Sequence, residues 1–477
     1  MRHNRKLFCL LMISFLVISI NIIAQNKKPN IIFILTDDQR WDALGVMGNT
    51  ILKTPNLDRL ANNGILFQNA YVTTSICCVS RASILSGKYE SKHNIHNFST
   101  DMKPEILKET YPQLLKETGY NLGFIGKYGV GLKPPKEIYN FWFNTEEGGK
   151  TQPDYIQTFS NGRKLHDTDT LDNAIQTFLG EYAKSGPFCL SVSFKAPHEQ
   201  DGNPPKYFVQ PGYESLYKNV IIPNPITAKE AYWNAFPDFF RTESNFARSR
   251  WKGLLGTPEL YQENVKNYYR LITGVDNAVG RMMAKLKELG IDDNTVVIFM
   301  GDNGMMLGEK NLEGKWYGYE ESIRVPLIIY DPRSSDKIKN YKAQQIVLNI
   351  DIAPTILSLT GAPVPKGMEG VNLMDVVQAK MPARDNFFYQ HYFQGSPNIP
   401  KVEGVVTKDF KYMKYIEHDY EELFDIPHDP HELDNLSHNP LFTQKLKAMR
   451  KLFTELRKKH GITELQQKKI DKNKTLF

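Results

Sequence analysis

Short, continuous apolar runs recur along the chain and predict buried strands. Runs without polar alternation are typical of strands covered on both faces, as in a parallel sheet. They span residues 31–35, 122–125, 188–194, 296–300 and 325–329. The pattern therefore predicts an α/β core with a mostly parallel central sheet.

Apolar residues at helical spacing fill several of the segments between these runs. The longest such segment, 265–289, ends at Gly290, and a second helix is predicted directly after Asp351. From about residue 380 the pattern changes to aromatic-rich short strands at 387–392, 404–407, 410–415 and 421–424. An amphipathic segment around Leu446 and Phe453 follows. We expect a catalytic domain over 26–375 and a smaller C-terminal sheet-and-helix subdomain over 376–477.

The first 25 residues have the pattern of an export signal. Arg2, Arg5 and Lys6 precede the apolar run 7–23, and Ala24 offers a small residue for cleavage. A membrane anchor is the alternative, but polar residues within the run weaken it. Because no later run is long and apolar enough to span a bilayer, we expect an exported protein, periplasmic or extracellular.

Charge and cysteine content exclude some classes of protein. The chain of 477 residues has a net charge of +6, of which residues 1–25 carry three positive charges. Residues 445–477 form a basic tail with eleven Lys/Arg and three Asp/Glu, so the rest of the mature chain is acidic, at about −5. That balance argues against a broad nucleic-acid surface. Only Cys77, Cys78 and Cys189 follow the signal segment, which is too few for a disulfide framework.

Carboxylate and amide side chains follow two of the predicted strands. Asp37 and Asp38 come after the first run, and Asp302 and Asn303 come after the run at 296–300. Functional groups collect at the carboxyl ends of strands in open α/β sheets, and oxygen ligands suit Ca²⁺ or Mg²⁺. If only one such pair were present, a turn or a helix cap would be enough to explain it.

Three further positions carry groups suited to anion chemistry. Lys127 and His198 follow predicted strands, where they could bind an anion and move a proton, although a surface lysine and a loop histidine are the plainer readings. Cys77 lies four residues before Arg81 at the start of an apolar helical stretch, where helix amides favour anions. A buried structural thiol is the alternative there.

These segments together resemble the type I sulfatases, the formylglycine-dependent branch of the alkaline phosphatase superfamily. The family signature Cys-x-Pro-Ser-Arg, followed after three residues by Leu-Thr-Gly, corresponds here to residues 77–81 and 85–87. Further blocks occur in family order: Thr36-Asp37-Asp38, Gly126-Lys127, Pro197-His198, Asp302-Asn303-Gly304, Leu307-Gly308-Glu309, Lys315, and 319–326. The segments 83–89 and 126–128 look like those of N-acetylglucosamine-6-sulfatases.

The resemblance implies an alkaline-phosphatase-like core and a sulfuric ester hydrolase acting on sulfated sugars. Cys77 would be oxidised to formylglycine, whose hydrate is the nucleophile. One Ca²⁺ would be bound by Asp37, Asp38, Asp302 and Asn303 together with residue 77. Arg81, Lys127, His198 and Lys315 would surround the sulfate. The implied substrate is a sulfated sugar, with 6-O-sulfated N-acetylglucosamine as the candidate.

Three departures from the family pattern affect these expectations. Val79 replaces the signature proline, which favours an anaerobic formylglycine-generating maturation enzyme as the partner. Gly129 stands where many members have histidine, so one base is unassigned. Lys310-Asn311 replaces a frequent His-Gly and is expected to reshape the pocket rim.

Two alternatives to a sulfatase stay open at this point. A phosphatase or phosphonate monoester hydrolase of the same superfamily could share the metal site, and a sugar-binding pseudo-sulfatase would lack turnover. Candidate sugar contacts are His93, Tyr389 and His391, with His96 and Gln390 beside them.

Overall fold

The computed structural model describes residues 27–146, 152–202, 204–335, 338–392 and 399–462. The predicted signal segment and the end of the basic tail lie outside the described residues. No helix within the described ranges is long and apolar enough to cross a membrane.

An eight-stranded sheet forms the centre of the molecule, in the order β12-β2-β11-β8-β1-β7-β3-β4. Its strands are β1 (Asn30–Asp37), β2 (Ile65–Tyr71), β3 (Asn121–Gly126), β4 (Phe141–Phe143), β7 (Phe188–Pro197), β8 (Thr295–Gly301), β11 (Leu327–Tyr330) and β12 (Tyr341–Leu348). β1 lies between β7 and β8 and is parallel to both. All eight residues of β1 are buried, as its unbroken apolar pattern predicts.

The parallel orientation predicted for residues 325–329 was wrong. β11 is antiparallel to both of its neighbours, β2 and β8. The chain enters β11 from a buried segment that starts at the end of β8, so the strand runs back beside β8 without a crossover helix. The apolar run identified the strand but carries no information about its direction.

Helices cover both faces of the central sheet. α1 (Pro55–Asn62), α6 (Asp167–Tyr182) and α9 (Pro258–Glu288) pack on the face that includes Ile32 and Ile34 of β1. α2 (Cys77–Ser86), α5 (Tyr111–Glu117) and α11 (Ile352–Thr360) pack on the face of Ile31, Phe33 and Leu35. Alternate residues of β1 thus enter two separate apolar layers. The predicted helices 265–289 and after Asp351 correspond to α9 and α11.

A smaller antiparallel sheet follows in the C-terminal part. Its strands, in the order β13-β14-β15-β16, are β13 (Asn386–His391), β14 (Val402–Thr407), β15 (Phe410–Tyr415) and β16 (Tyr420–Asp425). α13 (Thr443–Lys459) covers it with Leu446, Met449, Phe453 and Leu456, the residues of the predicted apolar stripe. The prediction of a separate small sheet with a closing helix is confirmed.

Short elements complete the described chain. They are the hairpin β5 (Ile156–Thr158) and β6 (Lys164–His166), the pair β9 (Met306–Leu307) and β10 (Glu313–Gly314), and the helices α3 (Glu90–His93), α4 (Pro104–Leu107), α7 (Glu230–Asn234), α8 (Phe246–Leu254), α10 (Glu320–Ile323) and α12 (Leu373–Val377).

A buried ion cluster joins the small sheet to the core. The ammonium group of Lys411 in β15 lies 2.8 Å from the carboxylate of Glu320 in α10 and 2.7 Å from that of Glu432. All three residues are at most 3% exposed. Because α10 begins five residues after Lys315, this cluster fixes the segment that carries Lys315.

Every residue from Gly301 to Ile323 is buried, although this segment contains only short regular elements. Connecting segments usually run over the surface, because their backbone groups need water. Here the backbone groups bond inside the protein instead: the Asp302 N–H donates to the Thr36 carbonyl at 2.8 Å, and the Trp316 N–H donates to that of Ser75 at 3.2 Å. We refer to residues 301–323 as the buried segment.

Candidate active site

The oxygen-bearing side chains predicted at two strand ends lie together. β1 and β8 are adjacent and in register, so Asp37 and Asp38 lie beside Asp302 and Asn303. The Asp38 backbone N–H donates to Asp302 Oδ1 at 3.1 Å, and Asn303 Nδ2 donates to Asp38 Oδ1 at 2.6 Å. All four residues are at most 1% exposed.

Cys77 is the first residue of α2 and faces this cluster. Its Sγ lies 3.0 Å from Asp37 Oδ1 and 3.9 Å from Asp38 Oδ1. Arg81 lies one helical turn later, hence on the same face, and its Nε donates to Asp302 Oδ2 at 2.9 Å. Cys78 instead packs in the hydrophobic core. The geometry therefore supports Cys77, rather than Cys78, as the reactive position.

Two lysines and a histidine complete the ring of charged groups. Lys127, at the end of β3, forms a close ion pair with Asp37. Lys315 Nζ lies 2.6 Å from Asp38 Oδ2 and 3.3 Å from Cys77 Sγ. His198 Nε2 lies 3.5 Å from Asp38 Oδ2. The structure thus brings together all five residues predicted to be catalytic and all predicted metal ligands.

The charges of the cluster shift one another's proton affinity. Burial raises the pKa of Asp37, but the cations around it, Lys127 first, outweigh burial and hold that pKa well below its usual range. Burial and the neighbouring Asp37 carboxylate raise the pKa of Asp302 to about 6. Burial, with the same carboxylate, also raises the pKa of the Cys77 thiol. Carboxylates this close repel each other, and a cation between them would relieve that repulsion.

The donor set fits a hard divalent cation. Asp37, Asp38, Cys77 and His198 each offer one ligand atom, and these four atoms lie within 4.8 Å of one another. Within the part of the chain that the structure describes, Asn303 Oδ1 is buried without a hydrogen-bond partner, which leaves an oxygen available for coordination. Carboxylate and amide oxygens are the ligands that Ca²⁺ and Mg²⁺ prefer.

A cavity of about 240 Å³ opens above these groups. Asp38, Cys77, His198 and Lys315 form part of its wall. The other described residues that line it are Ile76, Phe98, Gln152, Glu199, Asp201, Phe246, Arg250, Met305, Gly314, Trp316 and Ile399. The charged cluster is therefore accessible to a small ligand.

A group of ion pairs in this wall was not predicted from the sequence. Arg250 of α8 pairs with Glu199 and, at 2.6 Å, with Glu313. Both carboxylates are at most 1% exposed, and Glu199 lies 3.5 Å from His198 Nδ1. The only sequence signal was the position of Glu199 directly after His198.

The three predicted sugar contacts lie in the interior. His93, Tyr389 and His391 are at most 1% exposed. His93 Nε2 shares a hydrogen bond with Ser83 Oγ at 3.0 Å, and the Tyr389 hydroxyl donates to the Trp316 carbonyl. None of the three is among the described residues that line the cavity, so these positions do not fit the predicted contact with a sugar. An aromatic or imidazole side chain in a predicted strand can be buried in the interior as easily as it can bind a ligand.

The residues that depart from the family pattern lie in different parts of the structure. Gly129 has a φ of +67°, and a β-carbon there would lie 3.0 Å from Arg81 Cδ. Lys310 is buried and donates to the Glu432 carbonyl, away from the cavity, so the expected change at the pocket rim is not seen for Lys310. Val79 lies in the hydrophobic core.

The fold and the site together define a class. A mostly parallel α/β sheet places oxygen ligands suited to a cation, two lysines, an arginine and a histidine around Cys77, the arrangement expected of a hydrolase of anionic esters.

This chain belongs to the sulfatase family, whose profile matches residues 29–362. The profile of the C-terminal part of N-sulphoglucosamine sulphohydrolase matches residues 308–459. The protein is accordingly a sulfuric ester hydrolase, and the predicted family and enzyme class are confirmed.

Similar proteins include carbohydrate sulfatases. An N-acetylglucosamine-6-O-sulfatase of Bacteroides thetaiotaomicron is 27% identical over 91% of this chain and 87% of its own. An arylsulfatase of Clostridium perfringens is 30% identical over 83% of this chain and 88% of its own. A structure solved in complex with its substrate D-glucosamine-2-N,6-O-disulfate superposes with a TM-score of 0.77 at 25% identity, covering 91% of this chain and 98% of the other.

Proposed function

We propose that the protein is a carbohydrate sulfatase whose first substrate is 6-O-sulfated N-acetylglucosamine or a related hexosamine at the end of a glycan. The observation that carries this proposal is Cys77 at the base of the cavity, in contact with Asp37 and Lys315. The similarity to an N-acetylglucosamine-6-O-sulfatase supports the sugar and the position of its sulfate. The small cavity supports the binding of a terminal sugar unit rather than a long stretch of chain.

Residue 77 is proposed to act as formylglycine made from Cys77. A buried thiol with a raised pKa is a weak nucleophile, and sulfate transfer to sulfur would give a stable adduct. An aldehyde hydrate at this position supplies an oxygen nucleophile and a second hydroxyl that permits release of sulfate. Residue 77 lies at the N-terminus of α2, where the helix dipole favours an anion.

Asp37, Asp38, Asp302 and Asn303 are proposed to bind one Ca²⁺ together with residue 77. Such an ion would draw negative charge from the sulfate oxygens and from the nucleophile. Lys127 and Lys315 form ion pairs with Asp37 and Asp38. These two lysines and Arg81 are the cations that would bind the sulfate oxygens.

A proton must reach the oxygen of the departing sugar. His198 and Lys315 both line the cavity next to Cys77, which makes them the proposed donors. His198 Nδ1 donates a hydrogen bond to the backbone carbonyl of Glu199, which orients the imidazole so that Nε2 faces the cluster. Gly129 provides no side chain that could act as an additional base, so the remaining proton transfer falls to the same groups.

Maturation and location follow from two sequence features. Val79 supports modification by an anaerobic-type formylglycine-generating enzyme, and the pattern of residues 1–25 supports export to the periplasm or the exterior.

The decisive experiment is sulfate release from a panel of sugars. The matured protein is incubated with N-acetylglucosamine carrying a 6- or a 3-sulfate, with 2- and 4-sulfated sugars, and with a phosphate and a phosphonate monoester. Preference for the 6-sulfate is expected. Preference for another position discards the hexosamine-6-sulfate assignment. Faster phosphate or phosphonate turnover supports the alternative hydrolase, and binding without turnover by a formylglycine-containing protein supports the pseudo-sulfatase.

A further inference from the structure

Trp316 has an unusual backbone conformation directly beside Lys315. Its φ is +82°, in a region that costs a bulky residue free energy. The backbone is held there from both sides: the Trp316 N–H donates to the Ser75 carbonyl, and the Trp316 carbonyl accepts from the Tyr389 hydroxyl at 2.5 Å. Such strain persists where the surroundings impose it, and it concentrates at functional sites.

The neighbouring residues fix the indole ring against the cavity. A β-carbon on Gly314 would lie 2.4 Å from the ring, so only glycine leaves room for the indole there. The ring centroid of Phe246 is 5.3 Å away at an interplanar angle of 56°. Both aromatic rings line the cavity together with Cys77 and Lys315. We call this pair the aromatic wall.

Two features of the aromatic wall are not those of ordinary core packing. Phe246 is 37% exposed, although a phenylalanine in the first turn of a helix gains nothing from contact with water. Trp316 is 4% exposed, and its indole N–H is buried without a hydrogen-bond partner among the described residues, whereas buried Trp N–H groups usually have one. A phenylalanine ring that is more than a third exposed and an indole donor that no described residue uses, both belonging to side chains that line the cavity, indicate a ligand with an apolar face and acceptor oxygens.

We propose that Phe246 and Trp316 form the subsite for the sugar ring, an inference that rests on the proposed function. A pyranose has an apolar face of C–H groups, which packs on aromatic rings, and hydroxyl or acetamido oxygens at its edge. The ring lies on the aromatic wall, the Trp316 N–H donates to one edge oxygen, and the sulfated carbon points to residue 77. Trp316 and Phe246 are thus specificity-determining residues that hold the leaving oxygen near Lys315 and His198.

The test compares a ligand with a sugar ring to one without. KM and kcat are measured for 6-sulfated N-acetylglucosamine with wild type, Phe246→Ala and Trp316→Phe, and inorganic sulfate is titrated as a ring-free inhibitor. Phe246→Ala is expected to raise KM about five- to tenfold. Trp316→Phe keeps an aromatic ring and removes the donor, so a rise of about threefold to tenfold is expected. The inhibition constant of sulfate should stay within twofold of wild type in both variants.

A matched control is Phe208→Ala, which removes a ring that is 38% exposed but does not line the cavity. Its KM should equal that of wild type. An unchanged KM in Phe246→Ala overturns the aromatic wall as a subsite. A parallel rise of KM and of the sulfate inhibition constant overturns it too, because the pair would then only support the sulfate site. A wild-type protein inert towards every sulfate ester refutes the proposed function itself, and with it the subsite.

Discussion

Substitution of Lys411 by methionine should destabilise the whole protein. The change leaves Glu320 and Glu432 buried and close to each other without the cation that lies 2.8 and 2.7 Å from them. Burial raises the pKa of Glu432, whereas in Glu320 the cations, Lys411 first, overcome burial and lower it. Removing one partner of a buried ion cluster typically costs about 3–5 kcal/mol. With unfolding entropy near 2.1 cal/mol/K per residue over roughly 450 residues, that loss lowers Tm by about 4 °C.

Thermal and urea unfolding of wild type and Lys411→Met measure this loss. Lys451→Met is the matched control, since the Lys451 side chain is 80% exposed and its ammonium group lies 3.9 Å from Glu455. The stability of this variant should differ from wild type by less than about 1 kcal/mol. Adding Glu320→Gln and Glu432→Gln to Lys411→Met removes the uncompensated charges and should restore most of the stability. A loss below about 1 kcal/mol in Lys411→Met, or no recovery in the triple variant, would refute the reasoning.

Further predictions concern the nucleophile, the metal and one buried acid. Cys77→Ala should abolish sulfate release, whereas Cys78→Ala should keep most of it; mass spectrometry of the peptide should locate formylglycine at 77, and modification at 78 would contradict the assignment. Chelation should remove activity, with Ca²⁺ restoring it better than Zn²⁺; full activity in metal-free protein would sink the proposed cation. Burial raises the pKa of Glu422 from 4.5 to about 7, so the folded protein binds that proton more tightly and loses stability as pH rises through this window. Glu422→Gln should therefore gain about 2.5 kcal/mol relative to wild type between pH 5 and pH 8 in urea unfolding; a pH-independent difference would contradict this.

The sequence predicted those parts of the fold in which one hydrophobic pattern runs through a whole segment. Continuous apolar runs identified β1, β3, β7 and β8, because strands buried on both faces need no polar residues. β12 was missed, since it begins with polar residues and lies at the sheet edge, where only part of the strand is buried. The direction of β11 depends on the path of the buried segment, which no local pattern encodes.

Site residues could be predicted where they follow a strand or begin a helix, and where their motifs occur in the order of the family. The residues that cluster around Cys77, from Asp37 to Lys315, were predicted in this way. Arg250 and Glu313 were not, because an arginine within a helix and a glutamate in a two-residue strand look like surface charges until the fold pairs them. His93 and His391 carry side chains capable of chemistry, but they are buried and are not among the described residues that line the cavity.

The buried segment 301–323 sets which parts of this enzyme can change. It carries Asp302, Asn303 and Lys315, and it is packed like core throughout. An insertion or deletion there would disturb the protein interior. We therefore expect the length of this segment to tolerate little change. Phe246 lies in α8, outside this segment, and its side chain is 37% exposed, so it has no such constraint. Selection for a new sugar would therefore act first on α8 and its surroundings, while the chemistry that handles sulfate stays the same.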